Sequence, residues 1–299
     1  MKRNTLSACL GSIALLSVHL PASAIQIVFD YSLDTSGFFS TQLSKDVLQA
    51  AGNTLGGRLA DNLLAITSSG SNSFTANFND PSSGASTSRT AYSVEEDVMV
   101  VFVGAQDLGG SLLGIAGPGG FNANGSRGFL NTASTRGQAG APDTDFGPWG
   151  GTISFDSNAN WYFDSDLSTS GDIIGSDFYT VALHELGHVL GLGTATSWDN
   201  LIVNGALVGP TTGTVSLDAT GGHFANGTRS EVNGVAQGAA MTPSVLSGTR
   251  KEFTDLDFAA LKDIGWQVTP VPVPAAVWLF ASGLTGLFVF GRRKKLREG

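Results

Sequence analysis

The spacing of apolar positions changes period several times along the chain. Ile25 to Leu33 (IQIVFDYSL) alternates and predicts a first strand. From Ser44 to Leu64, Val47, Leu48, Leu55, Leu59 and Leu63 recur near helical spacing, which predicts an amphipathic helix packed on a sheet. Gly52, Gly56 and Gly57 weaken that pattern from within. Asn72 to Phe78 and Asp97 to Gly104 (DVMVVFVG) read as the next strands, and the second is apolar on both faces, as a central strand is. Residues 105–150 are glycine-rich and read mostly as loop; GGTISFDSNANWYFD, 150–164, reads as a short strand followed by an aromatic turn. A helix is predicted from Asp177 to Leu190, with Ser176 or Asp177 as N-cap. Residues 193–250 return to loop. A late helix is predicted over 253–266 (FTDLDFAALKDIGW): Thr254 caps it, Asp255 and Asp257 suit its positive end, and Gly265 closes it. No internal repeat is visible.

Both ends depart from this pattern. Met1-Lys2-Arg3, an apolar run from Leu6 to Leu20 and then Ala22-Ser23-Ala24 have the layout of a signal peptide, residues 1–24, which places the start of the mature domain near Ile25. Leu6-Ser7-Ala8-Cys9 is similar to a lipoprotein cleavage box but precedes the apolar run instead of ending it. Cys9 is the only cysteine, so the mature domain, 25–270, has no disulfide, no thiol nucleophile and no cysteine metal ligand. Residues 271–299 form a third segment. Ala275 to Gly291, seventeen residues, are almost wholly apolar, the short end of a membrane span, and the basic cluster behind them orients the C-terminus to the cytoplasm. This segment resembles the PEP-CTERM sorting tails of Gram-negative bacteria in Pro272, Pro274, Trp278, Leu279, Phe280, Ser282, Gly283, Leu284, Arg292 and Arg293, with Val273 where the usual pattern has Glu. The resemblance implies transient anchoring in the inner membrane, an exosortase-type sorting protease as partner, and delivery to the outer surface or extracellular matrix.

Charge narrows the function classes. Residues 25–291 carry 9 Lys and Arg against 24 Asp and Glu, a balance of −15, which argues against nucleic acid as a partner. The Ser-, Thr-, Asn- and Asp-rich loops suit solubility and, equally, structural calcium.

The candidate chemistry lies in HELGHVLGLGT, 184–194. His184 and His188 are four apart in a predicted helix, so both imidazoles leave one face, a turn apart, and can meet one ion. Glu185 stands beside them, placed to take a proton from a water activated by zinc without ligating the ion itself. Catalytic zinc usually takes three protein ligands. Of the four histidines, His19 lies in the signal peptide; if the third ligand is a histidine, counting leaves His223. Asp199 is the carboxylate alternative. No Gly-x-Ser-x-Gly elbow occurs, which removes a serine-hydrolase reading. Trp161 and Trp198 read as packing residues.

The stretch resembles the metzincins, in which His-Glu-x-x-His-x-x-Gly-x-x-His would place the third ligand at Thr194. Gly191 fits the pattern and Thr194 does not. The leishmanolysin-like metzincins carry a long insertion there, and His223-Phe224, 35 residues after His188, fits that variation. Ala240-Met241-Thr242-Pro243 is similar to the Met-turn, which places Met241 beneath the zinc ligands as packing, and 249–266 resembles the closing helix. No tyrosine follows Met241. The resemblance implies an α+β fold: a twisted mixed sheet with an active-site helix and a smaller C-terminal subdomain, the site lying between them. It implies a secreted or surface-bound zinc endopeptidase with Glu185 as general base, His184, His188 and His223 as ligands, and an extended substrate along an edge strand near Gly151–Phe155. The rival reading is a non-catalytic zinc-containing matrix or adhesion protein.

Overall fold

A computed structural model describes residues 24–270. The segment read as a sorting tail, and all but the last residue of the one read as a signal peptide, lie outside the described residues. Among the described residues no helix is long and apolar enough to cross a membrane.

The elements run β1 (Gln26–Asp30), α1 (Gln42–Gly56), β2 (Ser73–Asn79), β3 (Ser86–Arg89), β4 (Val98–Gln106), β5 (Gly114–Pro118), β6 (Gly120–Asn124) and α2 (Arg127–Thr135). They continue with β7 (Gly150–Asp156), β8 (Trp161–Tyr162), β9 (Ser176–Asp177), α3 (Phe178–Val189) and α4 (Thr196–Asp199). The C-terminal part adds β10 (Ile202–Val203), β11 (Ala206–Gly209), β12 (Gly213–Ser216), β13 (Arg229–Val232), β14 (Val235–Gly238) and α5 (Asp255–Asp263). The fold is α+β around a twisted mixed sheet of order β1-β4-β7-β5, in which β1, β4 and β7 are parallel and β5 is antiparallel.

β4 is central, as its sequence predicts. Met99, Val101, Val103 and Ala105 pack into the larger core with α1 and α3, while Phe102 turns to the other face. There Phe102 stacks on Phe78 at 4.2 Å, and β2, β6 and α2 cover the sheet through Phe74, Ala76, Ala123 and Phe129, packed around Trp149.

Several expectations are corrected. The first helix stops at Gly56, not Leu64: a Cβ on Gly56 would run into the Ile25 carbonyl, so the glycine that lets β1 approach also ends the helix. Leu59 and Leu63 remain buried, but from extended chain; Leu59 bridges to Val268. Residues 105–150 are not loop alone, since they also hold β5, β6 and α2. β5 (GIAGP) and β6 (GFNAN) are held by backbone pairing, so no alternation of side chains announced them. The strand at Gly151–Phe155 is not an edge: β7 pairs with β4 on one side and β5 on the other, and β5 is the edge. Residues 193–250 contain three antiparallel hairpins, β10-β11, β11-β12 and β13-β14, with Asn204-Gly205 and Asn233-Gly234 at the turns of the first and the last. All four turn residues have positive φ, between 51° and 79°, the conformation that Asn-Gly turns supply.

Candidate metal centre and cleft

α3 starts where Asp177 accepts hydrogen bonds from the backbone N–H and the hydroxyl of Thr180. Asp177 is itself held by Arg250, which donates to both its oxygens, to Asp164 at 2.8 Å and to the carbonyls of Leu167 and Thr169. Burial works against that guanidinium, but the bonds to Asp177 and Asp164 outweigh it and hold Arg250 above its ordinary value. The first turn of the helix is thereby tied to the segment that leads into α5.

One turn on, His184 and His188 leave the same face, as their spacing requires. Their Nε2 atoms are 3.2 Å apart, and the Nε2 of His223 lies 3.1 Å from that of His188; all three lie within 4.8 Å of one another. Each Nδ1 is spent elsewhere: His184 on the Ala240 carbonyl (2.8 Å), His188 on the Leu192 carbonyl (2.8 Å), His223 on Asp218 Oδ2 (3.2 Å). A carbonyl only accepts, so the two helix imidazoles carry their proton on Nδ1 and present a bare lone pair at Nε2. Converging lone pairs at these separations suit a tetrahedral cation with nitrogen bonds of about 2.0–2.1 Å. Burial and the neighbouring imidazoles push His184 down to about 3, and burial chiefly takes His188 to about 4, so both stay neutral, as metal ligands must. The donor set therefore fits zinc.

Thr194 is not part of the cluster. Its hydroxyl donates to the His188 carbonyl at 2.7 Å and closes the end of α3. Asp199 lies in α4 and is not among the clustered groups either. What brings His223 back is a close backbone approach: Gly193, at φ 74°, leaves no room for a Cβ against the Gly222 carbonyl. Trp198, fully buried, donates its indole N–H to the Gly221 carbonyl and packs on Phe224, as a packing residue does. Gly191, at φ 103°, turns the chain out of the helix where Phe146 and Ala195 crowd it.

Met241 is fully buried beneath α3; a Cβ on Gly187 would lie 2.5 Å from its sulfur. Asp257 holds this turn from α5, accepting from the backbone N–H groups of Ala240 and Met241 at 2.9 and 3.0 Å and from Thr254 in a capping box. The support thus runs Asp257 to Ala240 to His184.

Glu185 is 4% exposed, and among the described residues nothing donates to its carboxylate; burial alone pushes its carboxyl up to about 8. It faces a cleft of about 550 Å³ lined by His184, His188, His223, residues 111–116 and residues 242–245. A larger groove of about 920 Å³ on the far side of β5, against β2 and β3, contains none of these histidines.

A family model described as matrixin (Peptidase_M10) matches residues 120–218. These findings support a metzincin-like zinc metallopeptidase. The matched stretch is about a third of the chain; it contains His184, Glu185 and His188 and ends short of His223. No curated protein matches the chain, and no solved structure does.

Sequence reasoning missed Asp218, Asp257, Arg250 and Gly114 as parts of this site. Only Asp218 left a usable signal: a carboxylate five residues from a candidate ligand is a natural partner for its second nitrogen.

Proposed function

We propose that the protein is a zinc-dependent endopeptidase in which His184, His188 and His223 hold the metal and Glu185 is the general base. The observation that carries this reading is the convergence of three imidazole Nε2 atoms beside a buried carboxyl group that no protein group engages. Zinc, when bound, supplies a Lewis acid that acidifies water and polarises the scissile carbonyl. Glu185 takes the proton from the attacking water and returns it to the amine nitrogen as the C–N bond breaks. An extended peptide adds as a strand to the outer edge of β5, whose residues 114–116 border the cleft and whose other edge is taken by β7. Gly191 and Met241 act through structure, turning the chain and packing under the ligands. The signal-like start and sorting-like tail support export, with a sorting protease acting at the tail and the cell surface or matrix as destination.

The test is zinc stoichiometry joined to a chelator-sensitive digest of casein or gelatin. Glu185→Gln is expected to keep its zinc and lose about a hundredfold or more in rate, the usual size of a general-base effect. A zinc-replete protein that digests nothing would support the non-catalytic matrix reading instead.

A further inference from the structure

Lys251 is the one cation among the residues lining the cleft, and the mechanism above does not use it. Its backbone is fixed independently of its side chain. The Lys251 N–H donates to the Thr180 hydroxyl at 2.8 Å, four residues before His184, and its neighbour Arg250 is anchored on Asp164 and Asp177. The half-buried side chain passes Gly238, and its ammonium donates to the Thr242 hydroxyl at 2.6 Å and to the Ser244 carbonyl. Both partners are neutral and both line the same cleft. An ammonium has three N–H donors, so one is left over, and among the described residues no carboxylate lies within salt-bridge distance of it. The two carboxylates that border the cleft are otherwise engaged: Asp218 orients His223, and Glu185 stands at the reacting centre. The buried Asp257 acts on the ammonium only through space, its oxygens being taken by Thr254, Ala240 and Met241. A half-desolvated cation with no salt-bridge partner among the described residues, held one helical turn from the proposed metal ligands, is a ready receptor for an anion.

We propose that Lys251 is a substrate-binding residue whose ammonium receives a carboxylate of the peptide close to the scissile bond. The inference rests on the endopeptidase reading of the same site and names its substrate class: peptides with an acid at one fixed position beside the cleaved bond. That carboxylate has two sources, an Asp or Glu side chain and the C-terminal carboxylate of a short peptide.

The experiment uses the zinc-loaded, full-length protein. Cleavage sites are first mapped on a proteome-derived peptide library; matched pairs are then built on the best-cleaved sequence. One pair exchanges Glu for Gln at the position the map selects, and the other exchanges a free C-terminus for an amide. One pair is expected to differ in kcat/KM by about tenfold or more in favour of the acid, the worth of one charge-assisted hydrogen bond. The pair that responds identifies the source. In Lys251→Met the ratio is expected to fall to within about twofold of one, and in Lys251→Arg, which keeps the charge, the preference for the acid persists. A lysine that merely braced the 242–244 turn would lower all rates together and leave both ratios unchanged. Ratios near one in the unaltered protein, or a ratio that survives Lys251→Met, would overturn the proposal while leaving the endopeptidase reading intact. Absence of zinc-dependent cleavage of every peptide would overturn both.

Discussion

A methyl group on Gly114 would lie 2.5 Å from Oε1 of Glu185 and 2.6 Å from its Cδ. The edge strand and the proposed base are thus pressed together, and a Cβ at that point of β5 forces one of them to shift. Gly114→Ala is expected to displace either the carboxylate or the strand and to lower kcat/KM by about tenfold or more, because small misplacements of a reacting group are costly. Its zinc content stays at the level of the unaltered protein, since none of the three histidines is touched. Kinetics and metal analysis on the same preparation check this, and an unimpaired alanine variant would show that β5 gives way easily.

The ligand set separates by metal affinity. His223→Ala is expected to lose most of its zinc, whereas Thr194→Ala keeps it and loses about 1 kcal/mol of stability with its bond to the His188 carbonyl. Asp218→Asn weakens zinc binding by about 10–100-fold by loosening the His223 ring. Competition with a chelating dye would rank the three, and full zinc in His223→Ala would exclude that residue as a ligand.

Asp257 carries the turn beneath the site. Asp257→Ala leaves the N–H groups of Ala240, Met241 and Thr254 without their acceptor in the interior, at about 1–3 kcal/mol each. The expected result is a fall in urea stability of roughly 3 kcal/mol or more, with zinc affinity falling too because the Ala240 carbonyl orients His184. Unchanged stability would show that water replaces the carboxylate.

The carboxyl of Glu185 titrates in the fold at about 8, above its ordinary 4.5, because it is buried. The folded state is therefore favoured by the protonated form below pH 4.5, and that contribution is lost as pH rises through 8. In zinc-free protein, Glu185→Gln is expected to be more stable than the unaltered chain by an amount that grows from pH 4.5 to 8. His184 and His188 run the other way: their folded values, about 3 and 4, lie below 6.5, so stability present above pH 6.5 is lost as the pH falls toward those values. Thermal unfolding of both zinc-free proteins across pH 4–8 checks the sign, and a difference between them that does not change with pH would refute the assignment.

Much of this site was legible in advance, for reasons specific to each residue. His184, Glu185 and His188 needed only the helix period. His223 followed from a count of histidines only on the condition that the third ligand is a histidine, with Asp199 as the alternative, and Met241 from a resemblance. The two Asn-Gly turns carry an equally local signal, although the stretch around them reads as loop. β5 was hidden because a strand of Gly-Ile-Ala-Gly-Pro that pairs through its backbone has no side-chain alternation to show. Asp257 looked like a helix-dipole residue, and nothing near it in the chain reveals that its oxygens point at residues sixteen and seventeen positions away.

By itself, then, the order of residues determined α3, with its cap narrowed to Ser176 or Asp177, the shared face of the two helix histidines and the two-faced central strand. These depend on hydrogen bonds and side-chain directions within a few residues, where composition and period suffice. Tertiary structure alone decided that β5, not β7, is the sheet edge beside the cleft, that Gly114 faces Glu185, that Lys251 borders the cleft with no salt-bridge partner among the described residues, and how His223 reaches the two helix histidines. Those relationships arise where separate elements close on one another across 35 residues or more, and they are set by how volumes and backbone hydrogen bonds are satisfied throughout the packed domain, which no local pattern carries.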